Sequence, residues 1–136
     1  MTRLNLFKRR KPDSKDTRIP HPHGIPEATS RDDYMLRGWY YYSRKMNTEA
    51  EADFQEVLAL DPENVDANYS LGLVFKVQGM NEKAVEYFNR AIALIEEGFI
   101  KEKARAEMLR RLSSGHINEL TEGDWKLEEE IWQHKG

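Results

Sequence analysis

Residues 31–64 read RDDYMLRGWYYYSRKMNTEAEADFQEVLALDPEN, and residues 65–98 read VDANYSLGLVFKVQGMNEKAVEYFNRAIALIEEG. The two stretches repeat one pattern with a period of 34 residues. Small and aromatic residues recur at the same offsets: Gly38 and Gly72, Ala50 and Ala84, Phe54 and Phe88, Tyr41 and Phe75, and Val57 and Ala91. A repeat of this length is typical of a solenoid of helical hairpins, in which each hairpin buries its apolar face against a neighbour.

The spacing of apolar residues predicts the helices of these hairpins. Apolar positions three or four residues apart favour helices near residues 32–45, 48–60, 65–78 and 81–97. Gly38 and Gly72 have no Cβ, so we expect the second helix of each hairpin to approach them closely. Pro62 interrupts the chain between the two repeats.

The repeated residues resemble two tetratricopeptide repeats, at residues 31–64 and 65–98. The positions that carry the resemblance are Tyr34, Gly38, Tyr41, Ala50, Phe54 and Pro62 in the first repeat, and Leu71, Gly72, Phe75, Ala84, Phe88 and Ala91 in the second. Three positions depart from the family pattern: Arg37 replaces the usual Leu, Asn68 the usual Trp and Glu96 the usual Pro. The resemblance implies an all-α fold, a short right-handed superhelix of helical hairpins.

The residues after the second repeat predict a capping helix over residues 99–114. Four apolar residues follow one another at intervals of four: Ile100, Ala104, Met108 and Leu112. Charged residues surround this stripe, and a polar outer face on a terminal helix would shield the last repeat from water. Ser113, Ser114 and Gly115 are expected to end the helix.

Residues 115–136 are expected to form a tail with a short helix that begins near Asp124. This helix would carry Trp125 and Trp132. Two interpretations are open: the tryptophans fold back onto the domain, or they anchor another chain. The second follows from the enrichment of Trp at the energetic centres of protein interfaces.

Residues 1–30 form a basic, proline-containing arm that we expect to be extended. Residues 1–18 hold seven Lys and Arg and two Asp, whereas the remainder holds 14 basic and 22 acidic side chains. The candidate electrostatic contacts are Lys8, Arg9, Arg10 and Lys11. Four roles are open for the arm: contact with nucleic acid, binding to an anionic membrane surface, docking along a partner protein, and an inert solubilising tail. Nucleic acid is the least favoured partner because the body is acidic.

The composition argues against catalysis. The chain has no cysteine, which excludes disulfides, thiolate nucleophiles and cysteine-based metal sites. His21 and His23 flank a proline without neighbouring metal ligands, so we expect no metal site and no cofactor. The sequence lacks a nucleophile elbow and a phosphate-binding glycine loop. It also lacks a transmembrane run and a secretory signal, which favours a cytoplasmic protein with peripheral membrane contact left open.

The family resemblance implies where a ligand would bind. The first helix of each repeat lines the groove of a tetratricopeptide solenoid, and the usual contact positions here hold Met35, Trp39, Tyr42, Tyr69, Leu73 and Lys76. This strip is aromatic and apolar, and lacks the Lys, Asn and Arg set with which some family members bind chaperone tails. We therefore expect a noncatalytic scaffold, adaptor or assembly factor that binds a polypeptide segment in this groove. The segment would come from another protein, from a larger complex, from a second copy of the chain, or from this chain's own arm or tail. The alternative is an accessory protein that the basic arm recruits to an anionic membrane surface or to nucleic acid.

Overall fold

The computed structural model describes residues 27–123, and every regular element within this range is an α-helix. The five helices are α1 (Arg31–Ser43), α2 (Asn47–Leu60), α3 (Val65–Val77), α4 (Asn81–Glu96) and α5 (Lys103–Glu122). The first four begin and end within two residues of the bounds predicted from the sequence. The predicted all-α class and the hairpin arrangement are confirmed. The arm cations Lys8, Arg9, Arg10 and Lys11 and the tail residues Trp125 and Trp132 lie outside the described range.

Each helix packs mainly on its neighbours along the chain. The main contacts join α1 with α2, α2 with α3, α3 with α4, and α4 with α5. This order of contacts is the arrangement of a solenoid. The two hairpins share one buried cluster that includes Tyr41, Ala50, Phe54, Leu71, Phe75, Ala84 and Phe88. Because the cluster spans both repeats, neither hairpin can bury its apolar face alone.

The two hairpins turn in the same way. The turn of the first contains Lys45, with φ 62°, and the turn of the second contains Gly79, with φ 79°. After each of these left-handed residues comes a methionine whose backbone N–H donates to a carbonyl in the last turn of the preceding helix. These bonds run from Met46 to Tyr41 and from Met80 to Phe75, and both are 2.9 Å long.

Within each hairpin, a phenylalanine ring occupies the space that a glycine leaves. A Cβ built on Gly38 would lie 2.6 Å from Cε1 of Phe54, and one built on Gly72 would lie 2.6 Å from Cε1 of Phe88. Both rings are fully buried. The close approach predicted at the glycines is confirmed, and the group that approaches is a ring of the second helix.

The helix α5 differs from the predicted capping helix in its bounds. It begins at Lys103, four residues later than expected, and continues to Glu122. The predicted stop at Ser113–Gly115 is wrong, because these residues lie inside the helix, with Ser113 and Gly115 buried. A Gly in a helix interior costs only about 1 kcal/mol relative to Ala, which tertiary packing readily exceeds. Residues 115–122, assigned above to the tail, therefore belong to α5.

The inner face of α5 also differs from the predicted stripe. Leu109 is buried in a cluster with Val65 and Ala91. Met108, which belongs to the predicted stripe, is 52% exposed. Further along, Ile117 and Leu120 pack against the main core cluster. Within residues 27–123, none of the helices combines the length and the apolar character that crossing a membrane requires.

Candidate functional site

The residues predicted to line the groove occupy one face of α1 and one face of α3. They sit at intervals of four and then three positions, which places each set on a single helical face: Met35, Trp39 and Tyr42 on α1, and Tyr69, Leu73 and Lys76 on α3. All six are partly buried. The five apolar or aromatic members pack with one side against the main core cluster. We call these six residues the groove strip.

Ring contacts join each part of the groove strip to the core, and they join its α3 part to α5. The ring of Trp39 meets Tyr42 edge-on at 5.4 Å between centroids and Phe54 at 5.5 Å. Tyr69 lies 5.6 Å from Phe88 and 5.9 Å from the imidazole of His116 on α5. Burial raises the pKa of the Tyr69 hydroxyl, and the nearby Tyr42 hydroxyl raises it further.

His116 connects α5 to the α3 part of the groove strip. Its ring stacks on Phe88 at 4.9 Å with 13° between the planes. Its Nδ1 lies 2.9 Å from Nζ of Lys76, and its Nε2 lies 3.3 Å from the hydroxyl of Tyr69. An ammonium group can only donate, so Nδ1 accepts from Lys76, and the neutral ring carries its hydrogen on Nε2, which donates to Tyr69.

The surroundings of His116 keep it neutral. Burial lowers the pKa of the imidazole to about 4, and the adjacent ammonium of Lys76 contributes to the shift. Lys76 also donates to Oε1 of Glu119 at 2.6 Å, and this bond lowers the pKa of the Glu119 carboxyl. The end of α5 thus contacts Tyr69 and Lys76 of the groove strip. The family pattern gave no sign of this contact, because Ser113–Gly115 resembles the end of a helix.

The first hairpin also contains a partly buried ion pair that was not predicted from the sequence. The guanidinium of Arg37 donates two bonds of 2.9 Å to the two carboxylate oxygens of Asp53. Asp53 is 4% exposed, and its hydrogen bond is the main reason that the pKa of Arg37 is raised. One repeat later the same two positions hold Leu71 and Tyr87. Both positions change together from one repeat to the other, and this joint change could have indicated the ion pair from the sequence.

The position of Tyr87 explains why this pair is ionic. Its hydroxyl accepts a bond from Nε2 of Gln55 on α2, so this position of the second hairpin faces the first hairpin. The corresponding residue, Asp53, belongs to the first hairpin, and within residues 27–123 no earlier hairpin stands in front of it. Arg37 therefore departs from the usual Leu for a structural reason, since it pairs with the carboxylate at this end of the stack.

A second departure from the repeat pattern, Asn68, borders a hollow between α2 and α4. The hollow has a volume of about 590 Å³, and its walls include Leu58, Ala59, Pro62, Ala93 and Leu94. Asn68 also lines it, and the side chain of this buried residue donates to the backbone carbonyl of Asn64 at 2.9 Å. We call this feature the α2–α4 hollow.

The chemistry available on these surfaces is that of binding. The imidazole of His116 is neutral and engaged with Lys76 and Tyr69. Among residues 27–123, no three side chains of His, Cys, Asp or Glu gather closely enough to hold a metal ion. The groove strip offers partly exposed aromatic rings, hydroxyl groups and aliphatic side chains, which suit contact with another polypeptide.

Comparison with known proteins agrees with the geometry. Residues 38–79 match the family profile described as TPR repeat, and residues 65–97 match the profile described as tetratricopeptide repeat. The curated proteins contain no significant match. A solved structure described as "Crystal structure of MamA" is 28% identical over 79% of this chain and 63% of that chain, with a TM-score of 0.52. The chain thus spans less than two thirds of that structure's length. The two profile matches together cover residues 38–97, and with the helical hairpins and the repeated glycine–phenylalanine contact they show that this part of the chain consists of tetratricopeptide repeats.

Proposed function

We propose that the chain binds a segment of a partner protein along the groove strip and so acts as a scaffold or assembly factor. Tetratricopeptide repeats are protein-interaction modules in general, and the fold supports that broad role. The observation that supports the specific site is the row of large apolar side chains on α1 and α3. Trp39, Tyr42 and Leu73 remain partly exposed although each also packs on the core. Exposed aromatic groups that are held rigidly are typical of interaction surfaces.

The charges around the groove strip indicate what kind of segment would bind. Its cation, Lys76, is engaged by His116 and Glu119 of α5. The strip therefore favours apolar side chains over a terminal carboxylate, since binding a carboxylate through Lys76 would require breaking these contacts. Hydroxyl groups of Tyr42 and Tyr69 can supply hydrogen bonds that orient the segment.

The position of α5 limits where the segment would lie. Because α5 contacts Tyr69 and Lys76, the more accessible part of the site is the face of α1 with the adjoining Leu73. The segment would therefore run mainly across the first hairpin. Trp39 forms the floor at this point, because its ring rests on the buried ring of Phe54.

Peptide selection followed by matched mutagenesis tests this proposal. Peptides are selected from a display library against the purified full chain, and their affinities are measured by fluorescence anisotropy. The groove variant is Tyr42→Ser with Leu73→Ser, and the control is Ala52→Ser, at an exposed position of α2 that belongs neither to the groove strip nor to the α2–α4 hollow. We expect the groove variant to weaken binding at least about tenfold, which corresponds to ~1.4 kcal/mol, while the control binds as the parent does. Equal loss in both variants, or no loss in the groove variant, would contradict the proposal.

Ionic strength separates groove binding from recruitment by the basic arm. Binding of the arm to anionic vesicles or to nucleic acid should weaken steeply as salt screens its charges. Binding of an apolar segment in the groove should change little over the same range. Sedimentation of the full chain with anionic and with neutral vesicles, at low and high salt, measures the first effect directly.

A further inference from the structure

The α2–α4 hollow is a second apolar surface, built on the second helices of the two hairpins. Its volume of about 590 Å³ lies within the range of protein ligand pockets. Asn68 lines it and stands where the first repeat has the larger Tyr34. The amide of Asn68 bonds to the carbonyl of Asn64 and so stays at the wall.

Acidic side chains outnumber basic ones around this apolar hollow, where the exposed Lys83 lies four positions from the lining residue Tyr87. Three exposed glutamates, Glu56, Glu86 and Glu97, each lie three or four positions along the chain from a residue that lines the hollow. Glu63 is exposed beside the lining residue Pro62. The cation of the lining, Arg90, donates to Glu86 at 2.6 Å. This surface therefore favours a segment that combines apolar side chains with positive charge.

The chain itself contains such a segment. Residues 4–7 read LNLF, and residues 8–11 read KRRK. The start of α1 also lies near one end of the hollow. Arg31, at the start of α1, donates to Oδ2 of Asp61 at 3.0 Å, and Asp61 directly precedes the lining residue Pro62.

The distance along the chain allows the contact. The path from Phe7 to Glu27, where the described range begins, is 20 residue-to-residue steps long. An extended segment of this length spans about 66 Å. The longest helix that borders the hollow, α4, has 16 residues and is about 24 Å long. The arm can therefore reach any point on the α2–α4 surface.

We propose that the α2–α4 hollow binds the basic arm of the same chain. The apolar group of Phe7 fills the hollow, and the cations of residues 8–11 lie among the surrounding carboxylates. Because the arm is tethered, its local concentration at the hollow is on the order of millimolar, so a weak contact is sufficient. While the arm is docked, its cations are withheld from membranes and nucleic acid, which makes the acidic body a competitor for any external partner of the arm.

Paramagnetic relaxation in the full chain tests the proposal. The chain has no cysteine, so Lys8→Cys provides a single site for a nitroxide label beside Phe7. We expect the amide signals of Leu58, Ala59 and Leu94 to lose most of their intensity. Signals from Ala104 and Met108, on the exposed face of α5, should keep theirs.

Two pairs of matched variants identify the contacts. Ala59→Trp fills the hollow from its exposed rim, and Ala52→Trp adds the same side chain at an exposed position of α2 that does not line the hollow. The intensity loss should disappear with Ala59→Trp and persist with Ala52→Trp. It should also disappear with Phe7→Ser, and in about 1 M salt, where the screening length falls to ~3 Å.

A mixed sample determines whether the contact is within one chain. Isotope-labelled chain without nitroxide is mixed with unlabelled chain that carries it. The proposal is supported if the Leu94 signal loses intensity when isotope and nitroxide are on the same chain, and keeps it in the mixed sample. Loss of Leu94 intensity in the mixed sample would show that the arm of a second copy occupies the hollow. Unchanged amide intensities in both samples would show that the arm does not bind there. Either of these results overturns the proposal.

Discussion

The ring of Phe88 packs against both the backbone of Gly72 and the imidazole of His116. A Cβ added to Gly72 would lie 2.6 Å from the ring, and the imidazole stacks on the ring at 4.9 Å. One side chain of α4 therefore joins the packing of the second hairpin to the position of α5. Because α5 contacts the groove strip through His116, the geometry of that strip depends on the core beneath it.

The contact between Gly72 and Phe88 should make this glycine hard to replace. In Gly72→Ala the new methyl group must displace a fully buried ring, and overpacking of this kind costs about 1–3 kcal/mol. The gain in helix propensity, about 1 kcal/mol, offsets part of this cost. We expect a net loss of stability in urea denaturation followed by circular dichroism. Asn89→Ala, at an exposed position of α4, is the control and should be close to neutral. A Gly72→Ala variant as stable as the parent would contradict the contact.

The ion pair of Arg37 and Asp53 should behave as one unit. Arg37→Leu leaves a buried carboxylate without its cation, which we expect to cost up to about 3 kcal/mol. Adding Asp53→Tyr to that variant installs the apolar combination of the second repeat, Leu71 and Tyr87, and should recover much of the loss. A double-mutant cycle by chemical denaturation measures the coupling. If the two substitutions are additive, the pair contributes no coupling energy.

His116 should make stability depend on pH. Its pKa is about 4 in the folded chain and 6.5 when unperturbed, so protonation favours the unfolded state. The neutral ring contributes fully to the free energy of unfolding above pH 6.5, and this contribution is lost as the pH falls toward 4. Because the ring is partly exposed, we expect the free energy of unfolding to fall by only about 1 kcal/mol between pH 7 and pH 5. The variant His116→Gln should not show this fall. The pKa of Glu119 is also lowered, and protonation of this carboxyl reduces stability only at a lower pH, below its ordinary pKa of 4.5. Equal pH dependence in both proteins would contradict this role of His116.

The internal repeat made the four hairpin helices and the core predictable from sequence. Gly38, Phe54, Gly72 and Phe88 recur with one period because the same physical contact is made twice. The bounds of α5 were not predictable in this way, since the third element has no complete copy with which to compare it. Its local signals, Ser113 to Gly115, favour a helix end, and packing of later residues overrides them.

The groove strip was only partly predictable for a related reason. Helical spacing placed Trp39 and Tyr42 on one face of α1, and the structure places them together. The partner of Lys76 lies 40 residues further along the chain, and neither periodicity nor spacing relates His116 to it. The α2–α4 hollow is lined by residues of α2, α3 and α4, so it becomes visible only when these helices are in place.

Site-specific photocrosslinking tests the proposed function most directly. Benzoylphenylalanine replaces Tyr42 in the groove strip, which keeps a large aromatic group at that position, and in a second protein it replaces Asn89, exposed on α4. Each full chain is irradiated in its native cells, and mass spectrometry identifies the attached polypeptides. We expect position 42 to capture a contiguous segment of one or a few proteins that position 89 does not capture. Identical products at both positions, or products at position 89 alone, would contradict binding in the groove.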